Sequence, residues 1–179
     1  RVFSPAKFAM GAGATFFART IDTDPKHMLE TFQAASAHKG TSLVEVYQNC
    51  IIFNDGIHDE FTNRKKRDDT TVRLEAGKPM IFGADKDRGL IQDGFQFKEV
   101  PVAGNEDKLF IHDPKDECLS SILANLNGSN GPIPLGVLKS IETETYDEEF
   151  HKLINHETNV KGKGSIKDLL HSGNTWEVN

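Results

Sequence analysis

Few residue types in this sequence can carry chemistry, and the most telling is a cysteine. Cys50 stands between the polar pair Gln48-Asn49 and the run IIFNDG, whereas Cys118 stands alone in DECLSSIL. Thiols carry the most reactive side-chain chemistry in the sequence, so each sulfur is weighed first. By itself each is better read as a buried thiol. Cys118 falls on the apolar side of a stripe made by Leu119, Ile122 and Leu126, where cysteine behaves as a small hydrophobe and is expected in the core.

Other sites are weaker. The seven histidines are scattered, without HExxH or a CxxC partner that would mark zinc. The group Asn54, Asp55, His58, Asp59 and Glu60 offers oxygen ligands for Mg²⁺ or Ca²⁺ but lacks the ordered spacing and glycine of a calcium loop. GAGAT at Gly11 to Thr15 could cradle a phosphate, yet a phenylalanine stands where a dinucleotide fingerprint needs its third glycine. Close helix packing is the better reading of those glycines. No GxSxG marks a serine nucleophile.

These residues sit on elements that the pattern locates. Ser4-Pro5 and Asp24-Pro25 are helix starts, since Ser or Asp can cap free N–H groups and proline is tolerated at the first helical position. Met28, Leu29, Phe32 and Ala35 then share one helical face, and Gly40 supplies a stop. SLVEVY follows as a nearly continuous apolar run, expected to be a strand buried on both faces of a parallel sheet. Cys50 therefore falls just beyond a strand's carboxyl end, where ligands of open α/β sheets gather.

From Thr70 the pattern changes to short strand candidates (TTVRL, KPMIFG, GLIQ, FQFKEV, LFIHD) separated by turn residues, expected to be antiparallel. A helix after Asp113-Pro114 carries Leu119, Ile122, Leu123 and Leu126; PIPLGVLKSI reads as extended; and Tyr146, Phe150, Leu153 and Ile154 have helical spacing. The fold expected is α/β, with a parallel sheet and flanking helices over residues 1–69 and a β-rich section with terminal helices over 70–179.

Bulk properties narrow the function classes. The 179 residues suffice for one domain of ordinary size. A net charge of −6 argues against general nucleic-acid binding, and no apolar stretch approaches the length of a membrane span. The one basic run, Arg64 to Arg67, precedes Asp68 and Asp69 and reads as a solvated loop, with docking of an acidic protein as the alternative. Two cysteines do not suggest a secreted disulfide scaffold, so a cytoplasmic location is expected. The first residue, Arg1, suggests a truncated or processed chain.

Taken whole, HKGTSLVEVYQNCIIFNDG at His38 to Gly56 resembles the β subunit of a 2-oxoacid:ferredoxin oxidoreductase, of the 2-oxoglutarate type. GAGATFFART at Gly11 to Thr20, PIPLGVLKSI at Pro132 to Ile141 and SGNTWEV at Ser172 to Val178 agree in the same order. The resemblance implies a thiamine diphosphate-binding fold, of which this chain is the carboxy-terminal part, and assigns Cys50 as a ligand of a [4Fe-4S] cluster. It implies Mg²⁺ and thiamine diphosphate as cofactors, 2-oxo acid and coenzyme A as substrates, and an α subunit and ferredoxin as partners.

Family β subunits carry a GDGD motif, a following asparagine and a CxxC pair with a further cysteine ahead of this region; none is in the sequence. The chain alone is therefore expected to lack activity and to need other thiols for a four-iron cluster. The alternatives are a pyruvate or branched-chain 2-oxo acid enzyme, or an interaction domain that kept the fold without the chemistry.

Overall fold

The computed structural model describes residues 3–176 and 178. Its order is α1 (Pro5–Gly11), β1 (Phe16–Ile21), α2 (Pro25–Ala37), β2 (Ser42–Tyr47), α3 (Asp59–Thr62), α4 (Arg67–Thr70), β3 (Thr71–Arg73), β4 (Ile81–Phe82), β5 (Arg88–Asp93), β6 (Gln96–Pro101), α5 (Glu117–Leu123), β7 (Ile133–Ser140), α6 (Tyr146–Lys161) and α7 (Ile166–Leu170). Ser4 and Asp24 cap α1 and α2 as their types suggest, each accepting a backbone N–H, with proline at the helix start. The chain forms two compact units, Arg1–Thr143 and Glu144–Asn179.

In the first unit one seven-stranded sheet has the order β2-β1-β7-β3-β4-β5-β6. β1 and β2 are parallel, as are β3 and β7, while β1–β7 and the pairs from β3 through β6 are antiparallel. The parallel start and the antiparallel later strands are both as expected. They share one mixed sheet because β7 returns to pair between β1 and β3, so Thr70 falls inside a compact unit.

β1 is the spine, with all six residues buried. Phe17 joins Ala6, Ala9 and Ala14 and Leu119 and Leu123 of α5 in the main apolar core, which gives those three alanines of AKFAMGAGA the close-packing role their size suits. Gly136 in β7 faces Arg19 at φ +116, and a Cβ there would stand 2.9 Å from the Leu74 carbonyl oxygen. Glycine is needed at that approach.

Four expectations are corrected. β2 is half-buried rather than covered on both faces, because it is the edge strand among the described residues. α2 packs along β1 and β2 through its polar side, with Thr31 buried, while Leu29 and Phe32 of the apolar stripe face solvent. LFIHD forms only an isolated bridge, Pro79 to Ile111. Cys118 is exposed: α5 turns Leu119 and Leu123 inward, and their predecessor by one residue points outward.

The second unit contains α6 and α7. Thr145 and Glu148 form a reciprocal capping box at the start of α6. The stripe Tyr146, Phe150, Leu153 and Ile154 is helical as its spacing predicts and exposed to solvent, with the Tyr146 and Phe150 rings stacked 6.1 Å apart. SGNTWEV includes Glu177, which lies outside the described residues. Among the described residues no helix is long and apolar enough to cross a membrane.

Candidate functional site

The segment after β2 is built by its own polar residues. Asn49 acts as a clasp: its Nδ2 donates to Asp55 Oδ1 at 2.8 Å, and its Oδ1 accepts the Gly56 N–H at 2.9 Å. Inside that clasp the Asn54 N–H donates to the Cys50 carbonyl at 3.0 Å, closing CIIFN into a tight loop. Gly56 leaves the loop at φ +75, a conformation that favours glycine. The rings of Tyr47, His58 and Phe61 meet pairwise at 4.9 to 5.1 Å and give the loop a fixed base. Asn, Asp and Gly of the motif are thus used to shape the loop.

Asn49→Ala should open this loop without unfolding the sheet. Losing both bonds should speed amide exchange at Asn54 and Gly56 by about tenfold or more, read by hydrogen exchange and mass spectrometry. Unchanged exchange would mean that the ring base alone holds the loop.

The loop presents one exposed sulfur. The backbone N–H groups of Phe53 and Ile52, and more weakly that of Asn54, are directed at Cys50 Sγ; they favour its thiolate and hold the thiol below its ordinary pKa. A thiolate that is exposed and fed by N–H donors is fit to bind a soft metal. Cys118 follows Glu117, which pairs with Lys139 opposite Phe17 at the start of β1, whereas Cys50 lies beyond the end of β2; among the described residues, no three of His, Cys, Asp and Glu converge to hold a metal ion.

The acidic group after Cys50 is dispersed by its own partners. Asp55 is held by Asn49, while Asp59 and Glu60 share Lys66. Of the basic run, Arg64 to Lys66 are exposed as expected, but Arg67 is half-buried and pairs with Asp24 at 3.6 Å. A polar crevice of about 620 Å³ opens at the carboxyl ends of β1 and β2, bounded by Asp22, Thr23, Asn49, Asp55 and Asn63.

The other halves of the two glycine-bearing motifs meet at the opposite strand ends. Thr15 Oγ1 accepts the Thr41 N–H at 2.8 Å and lies 2.9 Å from His38 Nε2. Thr15 and His38 therefore lock the starts of β1 and β2 together, whereas Gly11 and Gly13 are exposed with nothing within 4 Å of a Cβ, so the close packing expected of those glycines is corrected: Gly13 instead serves the turn after α1 at φ +87.

One cluster escaped the sequence reading because its members are far apart in the chain. Asp24 binds Arg73 at 2.5 Å, and the buried Thr20 hydroxyl meets His27 Nδ1 at 2.8 Å. Burial, with the nearby Arg73 charge, pushes His27 down to about 4 from its ordinary 6.5. The unfolded chain binds a proton at His27 as pH falls through 6.5, the folded chain only near 4, so stability falls with pH in that window. After discounting for the half-exposed ring the loss should be roughly 1–2 kcal/mol. Urea unfolding at pH 7 and 4.5 checks this: His27→Gln should flatten the difference, and an equal slope in both proteins would refute it.

No family profile matches the chain. Its likeness to individual proteins is extensive. It is 31% identical, over 98% of its length, to 2-oxoglutarate oxidoreductase subunit KorB of Mycobacterium tuberculosis, of which it covers 48%. The chain is thus similar to a 2-oxoacid oxidoreductase subunit along almost its whole length. A 2-oxoacid:ferredoxin oxidoreductase subunit beta from Sulfolobus is 40% identical over 52 residues, 29% of this chain and 17% of that protein.

Among solved structures, 2-oxoglutarate:ferredoxin oxidoreductase from Magnetococcus marinus, with 2-oxoglutarate, coenzyme A and succinyl-CoA bound, superposes with a TM-score of 0.58 at 19% identity. The match covers 95% of this chain and 44% of that one, and it shows that this chain shares an α/β fold with that one. The chain spans about half the length of the relatives it matches end to end.

Proposed function

We propose that this chain is part of the β subunit of a 2-oxoglutarate:ferredoxin oxidoreductase and that Cys50 is its ligand to a [4Fe-4S] cluster. The overall reaction converts a 2-oxo acid, coenzyme A and two oxidised ferredoxins into acyl-CoA, CO₂, two reduced ferredoxins and a proton. The observation that carries the reading is the likeness to KorB along 98% of the chain. What supports the role of Cys50 is the exposed sulfur with backbone N–H groups directed at it.

When bound, the cluster would supply one-electron transfer out of the site. The residues of this chain do the holding. Asn49 and Gly56 fix the loop, the Tyr47, His58 and Phe61 rings support it, and the backbone N–H groups hold the thiol below its ordinary pKa. One thiolate fits one corner of a cluster; the other three thiolates come from outside the described residues. Thiamine diphosphate and Mg²⁺ belong to the same reading, but no residue here fits their anchoring motif. The α subunit and ferredoxin are the proposed partners, and the cytoplasm, where thiols stay reduced, is the proposed location.

The test is turnover by the complete β subunit assembled with its α subunit. Ferredoxin reduction should require both 2-oxoglutarate and coenzyme A. Preference for pyruvate or a branched-chain 2-oxo acid would move the enzyme within its class, and no turnover with any 2-oxo acid would leave an interaction domain. The 179-residue chain alone should bind no thiamine diphosphate with Mg²⁺ in calorimetry; micromolar binding would overturn that expectation.

A further inference from the structure

The second compact unit carries a helix seam that buries none of its residues. In α6, Tyr146, Phe150, Leu153 and Glu157 follow one another at steps of four, three and four, the spacing of the contact line between two paired helices. No residue of α6 or α7 is buried, and Tyr146 and Leu153 are 83 and 57% exposed. Ile154 widens the line on one flank, and the Tyr146 and Phe150 rings lie within 9° of parallel, so they present one flat platform. A stripe of this kind is kept because another surface covers it.

The seam fits its own reverse. When two copies of α6 run antiparallel about a two-fold axis midway between His151 and Lys152, Phe150 of each falls opposite Leu153 of the other, and Tyr146 opposite Glu157. A large ring then meets a smaller aliphatic chain, and a phenol O–H faces a carboxylate that can accept it. A parallel pair would instead set Glu157 against Glu157 in the seam, where two like charges are costly.

The helix ends select the same direction. The first turn of α6 carries Asp147, Glu148 and Glu149, while the last carries Lys161, with Lys163 just beyond. Antiparallel copies bring each acidic end toward the other's basic end; parallel copies set acid beside acid. The acidic turn also suits the N-terminus of its own helix, so the charges choose the direction and the seam chooses the occupant.

We infer that α6 pairs antiparallel with α6 of a second copy of this chain and that this two-fold contact joins the copies. At roughly 24 Å the helix makes a contact at the small end of stable interfaces, and the exposed Ile166, Leu169 and Leu170 of α7 add apolar surface in the same unit. The inference rests neither on Cys50 nor on any turnover.

In full-length protein assembled from a mixture of unlabelled and isotope-labelled copies, Phe150→p-benzoylphenylalanine should photo-cross-link to α6 around Leu153, giving peptide pairs of mixed isotope content by mass spectrometry. Cross-links confined to one copy, cross-links to another segment or another protein, or none at all would overturn the pairing. Leu153→Asp replaces an exposed side chain and leaves the Thr145 and Glu148 cap in place, so the fold should persist. It should weaken self-association, read by sedimentation, by about tenfold or more. Self-association at wild-type strength in that variant would refute the seam.

Discussion

Cys50→Ala in the complete enzyme should abolish the electron paramagnetic signal of one cluster and stop ferredoxin reduction. The loop around position 50 is held by Asn49, Gly56 and the Tyr47 ring cluster, none of which uses the sulfur. The Cys50 side chain is exposed, so the variant should unfold at the same denaturant concentration as the wild type. Losing one of four thiolates should therefore remove the cluster and leave the fold. Cys118→Ala is the matching control, because its thiol is equally exposed and lies outside the loop. It should keep both signal and turnover. A full cluster signal in Cys50→Ala would end the ligand assignment.

What the sequence made legible follows from how local each signal is. Caps and turns are local, and Ser4, Asp24, Thr145 and Gly56 do what their types suggest. The QNCxxFNDG run was legible as a unit because its bonds close within eight residues. α2 misled because amphipathicity reports only that one face wants cover. Its apolar stripe faces solvent, while His27 meets the Thr20 hydroxyl of β1 and the buried Thr31 satisfies its hydroxyl on the His27 carbonyl, bonds that hydrophobic periodicity does not register. Cys118 went wrong by one position, which on a helix is a turn of about 100°. The Asp24, Arg67 and Arg73 cluster was invisible, since it depends on β3 returning to the carboxyl end of β1, a long-range pairing. The edge position of β2 departs from the buried strand that its apolar run suggested.

The second large effect concerns the pair that ties β2 to β1 beneath the loop. Arg19 and Glu45 are direct cross-strand neighbours, with Arg19 Nε donating to Glu45 Oε2 at 2.7 Å. Their side chains are only 4 and 12% exposed, and the Arg19 guanidinium also sits 5.4 Å from the Tyr47 ring centroid. Arg19 Nη1 has no protein partner, so the ion pair already leaves part of the guanidinium unsatisfied. Removing Glu45 would strand a buried cation, for which the usual cost is about 3–5 kcal/mol. Glu45→Ala should therefore lower urea stability by that order and, through Tyr47, loosen the base of the Cys50 loop.

If that single variant fails to fold, the double variant Arg19→Met with Glu45→Leu carries the test. Replacing both charges with apolar groups of similar size removes the desolvation penalty along with the attraction, so it should restore most of the lost stability. Tyr47 would keep an apolar neighbour in place of the guanidinium, and cluster content should return with the fold. Should Glu45→Ala cost less than about 1 kcal/mol, the range of an exposed ion pair, water would have to reach Arg19 and the strand pair would owe its hold to backbone bonds instead.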